Sequence, residues 1–127
     1  MRRAGLRAVL VAAALLGACT DQSPVSAPGS VIARLVSPHG AEGAAVVTLV
    51  GEGIGKATGL GDVQLFRSDG PGVTTFVLVS PGGGDLSFEL EVEDRTRLPE
   101  TMVQQVAGPD DELRTGVPTG YTLVLLR

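Results

Sequence analysis

Residues 86–92 constrain the fold more than any other part of the chain. Leu86, Phe88, Leu90 and Val92 alternate with Ser87, Glu89, Glu91 and Glu93. Side chains of a strand point alternately to its two faces, so this period-two pattern gives one apolar face and one polar face. A helix would spread the three glutamates around its circumference. The strand therefore belongs to a sheet with one side on a core and the other in water, as antiparallel sheets often have. Such a strand is not stable alone, so the neighbouring segments must supply both a sheet and a second layer.

They have the composition to do so. Runs rich in Val, Leu, Ile and Thr occupy residues 31–37, 43–50, 54–58, 63–68, 73–80, 101–107 and 119–126. Between them lie Gly- and Pro-rich turns such as Asp69-Gly70-Pro71-Gly72 and Pro81-Gly82-Gly83-Gly84-Asp85. Seven or eight strands at spacings of roughly 8–12 residues make an all-β fold, a small antiparallel β-sandwich that is immunoglobulin-like in architecture. No segment has the length and period of a crossover helix, which argues against a parallel α/β sheet. The run at 43–50 is almost wholly apolar and is expected to be buried on both faces. Gln104 and Gln105 leave the facing of the 101–107 strand open. Pro109, the acids at 110–112 and Arg114 suit one helical turn over 108–114. The paired cysteines and buried Trp of antibody domains are missing, because the chain has one Cys and no Trp.

The N-terminal part follows a different logic. Arg2, Arg3 and Arg7 precede nine uncharged, largely apolar residues, 8–16. That run is too short to span a bilayer, which takes roughly 20 residues, but it suits the apolar region of an export signal. It ends in Leu16-Gly17-Ala18-Cys19. This order of features resembles the lipobox of bacterial lipoproteins. The resemblance covers residues 1–19. It implies a signal peptide at 1–18, cleavage between Ala18 and Cys19, and lipidation of Cys19 as the new N-terminus, with the membrane reached through that anchor. Thr20 rather than Asp follows the cysteine. By the sorting habit of such lipoproteins, that implies delivery to the outer membrane, facing the periplasm or the cell surface. Arg2-Arg3 is not surrounded by the other residues of a twin-arginine signal, so general secretion is the expected route. Residues 19–30 then form the lipidated cysteine and a flexible tether. The eleven residues after Cys19 reach roughly 18 Å as a flexible chain. Residues 31–127 form the β-sandwich domain, whose succession of strands is similar to cohesin-type modules.

Charge narrows the partners. The chain carries 10 basic and 14 acidic residues, and removal of 1–18 leaves seven basic against the same fourteen. Nucleic acid, which requires clustered Lys and Arg, is not an expected partner. Phe66, Phe76, Phe88 and Tyr121 are the only aromatic residues, few for stacking sugars or bases. Gly51 to Thr58 superficially resembles a phosphate loop. Val50 stands where its first glycine belongs, however, and Ala57 where the Mg²⁺-binding hydroxyl belongs, so a turn and a short edge strand are expected instead. His39 is the single histidine and sits in a Pro-Gly loop, without a nucleophile elbow anywhere in the chain. Cys19 is consumed by acylation under the lipoprotein reading, leaving no zinc set. The carboxylates at 89–94 and 110–112 are oxygen ligands of the kind Ca²⁺ takes, but they lack EF-hand spacing; solvated faces are the simpler reading. A carboxylate-based glycoside hydrolase would also need ring-bearing residues to grip its sugar.

No cofactor and no enzymatic activity are expected from these residues. The expected function is that of a membrane-anchored envelope lipoprotein whose sandwich binds an envelope protein or polymer. The alternatives are a structural or assembly subunit that pairs through a sheet edge and, far behind it, a hydrolase. The loops at 37–43, 69–72 and 108–115 are the expected recognition elements, since sandwich loops commonly carry that role.

Overall fold

The computed structural model describes residues 28–127, so the expected signal peptide, Ala18 and Cys19 lie outside the described residues. The domain is an antiparallel β-sandwich of eight strands in two four-stranded sheets, as the turn spacing predicts. The strands are β1 (Gly29–Val36), β2 (Glu42–Val50), β3 (Ile54–Gly59), β4 (Gln64–Gly70), β5 (Val73–Gly84), β6 (Ser87–Val92), β7 (Glu100–Ala107) and β8 (Thr122–Leu126). One sheet has the order β3-β6-β1-β8 and the other β4-β5-β2-β7. We call them the β6 sheet and the β2 sheet. The pairs β3·β6 and β2·β5 lie in opposite sheets, so the connections β2–β3 and β5–β6 both cross between layers. These crossings lock the two sheets to each other through the chain itself.

The alternation of β6 has the expected orientation. Phe88 and Leu90 are fully enclosed while Glu89 and Glu91 are exposed. Facing β6 across the interior are Ala45, Val47 and Leu49 of β2 and Phe76 and Leu78 of β5. The rings of Phe76 and Phe88 meet at 4.8 Å between centroids, tilted by 42°, a favourable geometry for aromatic pairs. Val31, Ala33 and Leu35 of β1 and Val103 and Val106 of β7 complete the core.

Three expectations about local structure need correction. β2 is not buried on both faces: Ala45, Val47 and Leu49 are buried, whereas Ala44 and Val46 are half-exposed and Val50 is open. The loop at 108–114 is not helical. It folds as a tight reversal in which the Gly108 N–H donates to the Glu112 carbonyl and Leu113 bridges back to Ala107. Asp111 adopts a left-handed conformation there, with φ 65°, which Asp tolerates better than most residues. The helical turn comes later, as α1 (Val117–Gly120), and takes the place of the first residues expected in β8. Finally, β5 does not stop at Ser80. A bulge between Ala44 and Glu42 lets it continue to Gly84 through Pro81, which needs no ladder partner at that point.

Gln104 and Gln105 have a simple resolution. The β2–β7 register shifts between Val46, opposite Gln105, and Val47, opposite Val103. Gln104 is the extra residue of a bulge, so both glutamines point outward while Val103 and Val106 both point inward.

The open sides of the sandwich are sealed differently. At the β3/β4 side, Arg67 donates from Nη1 to the Gly55 carbonyl and from Nη2 to the Ile54 carbonyl at 3.3 Å, while its Nε holds Asp69 at 3.0 Å. At the β7/β8 side, the Thr101 hydroxyl donates to the Leu123 carbonyl at 2.9 Å.

Candidate functional site

Registers define two ends of the domain. Gly29, Val50, Ile54, Val73, Val92 and Glu100 lie at one end, joined by the pairs Gly29–Val92, Ile54–Val92, Val50–Val73 and Val50–Glu100. The chain enters the domain here, and we call it the proximal end. The expected recognition loop at 69–72 lies at this end as the β4–β5 turn. The loops at 37–43 and 108–115 lie together at the distal end, so the three expected loops do not form one surface. Gly43 and Gly108 approach so closely that a Cβ on Gly43 would stand 2.5 Å from the Gly108 carbonyl oxygen, and only glycine fits there.

The distal contact is fixed by an ion pair. Glu42 is 1% exposed, and its Oε1 accepts from Arg114 Nε at 3.1 Å and Nη2 at 2.9 Å. Glu42 Oε2 and the Tyr121 hydroxyl are also enclosed, and neither has a hydrogen bond of standard geometry. Burial, with the Glu42 carboxylate nearby, raises the Tyr121 phenol above its ordinary value of 10.0. Arg114 is likewise held above its ordinary value, chiefly by its bond to Glu42. The His39 ring stands 6.2 Å from that of Tyr121, and its backbone N–H donates to Ser37 Oγ. The ring itself lies on an exposed loop.

The carboxylates expected as possible ligands are dispersed. Glu89 and Glu91 project from the outer face of the β6 sheet. Glu93 and Asp94 border a proximal cavity of about 390 Å³ together with Glu52 and Arg97. Asp94 also accepts from the Thr96 backbone at 2.9 Å, a local turn bond. Residues 110–112 are on the distal loop. Among the described residues, no group of three or more His, Cys, Asp or Glu side chains is placed to hold a metal ion. Gly51 to Gly53 is a turn and 54–59 is edge strand β3, so no phosphate cradle forms.

The unexpected feature is the outer face of the β2 sheet. Strand pairing arranges it in rows running β4-β5-β2-β7. The first is Gln64, Val79, Ala44, Ala107; the second Phe66, Val77, Val46, Gln105; the third Ser68, Thr75, Thr48, Met102; the fourth Gly70, Val73, Val50, Glu100. Glu100, at the proximal corner, is the one charged side chain in these sixteen positions. Leu113 extends the first row past Ala107 and is 71% exposed. Phe66 and Met102, on opposite edge strands, are 56% and 54% exposed. A shallow depression of about 110 Å³ lies between β2 and β7, lined by Ala44, Val46, Val77, Gln105, Ala107 and Leu113 among others. Single exposed apolar side chains are ordinary, but a contiguous uncharged face of this extent marks a contact surface.

The other outer face differs in kind. It mixes Glu89, Glu91, Lys56 and the Arg34–Asp85 pair at 3.6 Å with Ile32, Val36, Val124 and Leu126, of which Val36 and Leu126 are exposed, so its apolar side chains are interrupted by charge. The apolar run at 43–50 was the available signal for the contact face. The Glu42–Arg114 pair, 72 residues apart in the chain, left no local signal. Among the described residues, no helix is long and apolar enough to cross a membrane. No family model, no curated protein and no solved structure matches the chain.

Proposed function

We propose that this protein is a lipid-anchored bacterial envelope protein whose sandwich acts by binding a protein surface, without catalysis. The observation that carries the reading is the uncharged outer face of the β2 sheet. A soluble domain gains nothing from presenting Val46, Val77, Val79, Phe66 and Leu113 to water. Desolvating them against a partner is favourable at roughly 25 cal/mol per Å². A sugar or polyanion would demand aromatic platforms or cations, and this face offers one ring and no Lys or Arg.

The anchor half of the proposal rests on the lipobox at Cys19. A tether entering at the proximal end leaves the sheet faces and distal loops free to meet partners. It also confines the protein to one membrane, where a raised effective concentration lets modest affinity suffice. Assembly through a sheet edge is disfavoured on two sides. Arg67 ties the β4 edge to β3, and Leu113 already bridges the end of β7.

The test combines the two halves. Cys19→Ser should leave unprocessed precursor or release the protein from the membrane fraction. Capture of a protein partner, a second copy of this chain included, should be lost with Val77→Arg and kept with Glu91→Arg. A Cys19→Ser variant that both migrates and fractionates like the wild type would refute the anchor. Equal capture by both arginine variants would refute the face.

A further inference from the structure

Resting on that reading of the face and the tether, we infer that the occupant of the β2-sheet face is a second copy of this chain, related by a two-fold axis that runs along the strands. The argument begins with self-complementarity. In a two-fold interface the same patch is used twice, so residue i of one copy meets j of the other and j meets i. A charge near the axis would meet its own copy. The three distal rows of this face carry no charge, and Glu100 stands at a corner away from the centre.

Shape selects the direction of the axis. Phe66, the most projecting ring of the face, is on edge strand β4, in the row Phe66, Val77, Val46, Gln105. The depression lies on the opposite side of the same row, against β7. Consider an axis parallel to the strands, lying in the contact plane between the central strands β5 and β2. It leaves each row at its own height and lays β4 of one copy over β7 of the other. Phe66 of each copy then enters the depression of its mate beside Gln105, and Val77 meets Val46 at the centre. Two apolar knobs fill two apolar hollows with one operation, and the strands align as in face-packed sheets.

The tether selects the same axis. An axis along the strands keeps both proximal ends, and so both Gly29 residues, on one side of the dimer. Both chains can then be anchored in one membrane. An in-plane axis across the strands would put the second proximal end at the far side of a domain whose nine-residue strand β2 measures about 30 Å. Gly29 and Ser30 belong to β1, so under the lipoprotein reading the tether is residues 20–28, whose root-mean-square reach as a flexible chain is roughly 17 Å; spanning the domain would need it almost fully extended, at a cost in chain entropy.

The size of the face sets the strength. Four strands at about 4.8 Å and seven residues at about 3.3 Å give a footprint of about 19 Å by 23 Å. The two copies together bury on the order of 900 Å², below the 1,200–2,000 Å² of stable soluble complexes. The dimer is therefore weak in dilute solution and populated where both copies share a membrane. The glutamates of the β6 sheet point away from the mate, so the acidic charge of the two copies stays apart.

The experiment uses the full chain in detergent and in reconstituted vesicles, as a mixture of isotopically heavy and light protein. A benzophenone amino acid replaces Phe66, and crosslinked peptides are read by mass spectrometry. The expected result is a heavy–light crosslink from position 66 to residues 105–113. It should fall at least about tenfold with Val77→Arg, as central interface positions do, and persist with Glu91→Arg. Crosslinks within one copy, to residues 20–30, would show the face covered by the chain's own tether and overturn the proposal. Crosslinks only to a different protein in native membranes would also overturn it, while leaving the docking face standing. Heavy–light crosslinks that persist unchanged in Val77→Arg would place the contact elsewhere and refute the geometry.

Discussion

Val46 and Val47 are chain neighbours on β2, yet truncating them should have very different consequences. Val47 is fully enclosed, in a core with Phe76, Phe88 and Leu90. Val47→Ala removes two methyl-sized groups, worth about 0.8 kcal/mol each in transfer. The cavity left behind adds to this, so the total should be about 2–3 kcal/mol. Val46 faces outward and is half-exposed. Val46→Ala loses only part of the transfer term and opens no cavity, so it should cost under about 1 kcal/mol. Two-state urea melts of dilute protein, with the midpoint compared at constant slope, measure both. Dilution matters, because association on the outer face would add to the apparent cost of Val46→Ala. Equal losses at the two positions in dilute protein would show that the outer face is covered within a single chain, and the contact-face reasoning would fail.

Other variants probe the rest of the fold. Leu90→Ala should cost roughly 2–5 kcal/mol, and Glu91→Ala, on the water face of the same strand, should stay within about 0.5 kcal/mol in the same melts. Arg114→Ala should lower the melting temperature more than Glu42→Leu does: the first strands a buried carboxylate, whereas the second leaves a guanidinium that reaches water. Because the folded-state pKa of Tyr121 is raised, its contribution to stability is intact below about pH 10 and lost as pH rises through the folded value. Tyr121→Phe should therefore flatten the alkaline loss of stability, as melts from pH 9 to 11 would show.

The sandwich was legible because β6 alternates cleanly and turn residues punctuate the other runs. What β2 faces was not legible. Ala44, Val46 and Val50 are as apolar as Ala45, Val47 and Leu49, and a run apolar on both faces reads as buried on both. Whether a second layer covers a face depends on where distant strands lie, and here all of them lie on one side. The loop at 108–114 misled for a local reason. Pro109 and three acids fit a helix start, but the left-handed Asp111 and the Gly108 turn close a tighter reversal. Glu42 looks like a loop residue by sequence, yet it is the most enclosed charge of the described domain, paired by a loop that the strand register brings alongside it. His39, the 51–58 glycines and the dispersed carboxylates were readable as ordinary loop and surface residues, and the fold places them as such.

Photo-crosslinking in intact cells from the two outer faces tests the central claim most directly. A crosslinker at Val77 samples the face of the β2 sheet, and one at Glu89 samples the face of the β6 sheet. Specific protein adducts should form from Val77, remain in the membrane fraction, and be absent or far weaker from Glu89. Adducts of equal yield from both faces, or from Glu89 alone, would contradict the assignment of the β2-sheet face as the surface through which this protein works.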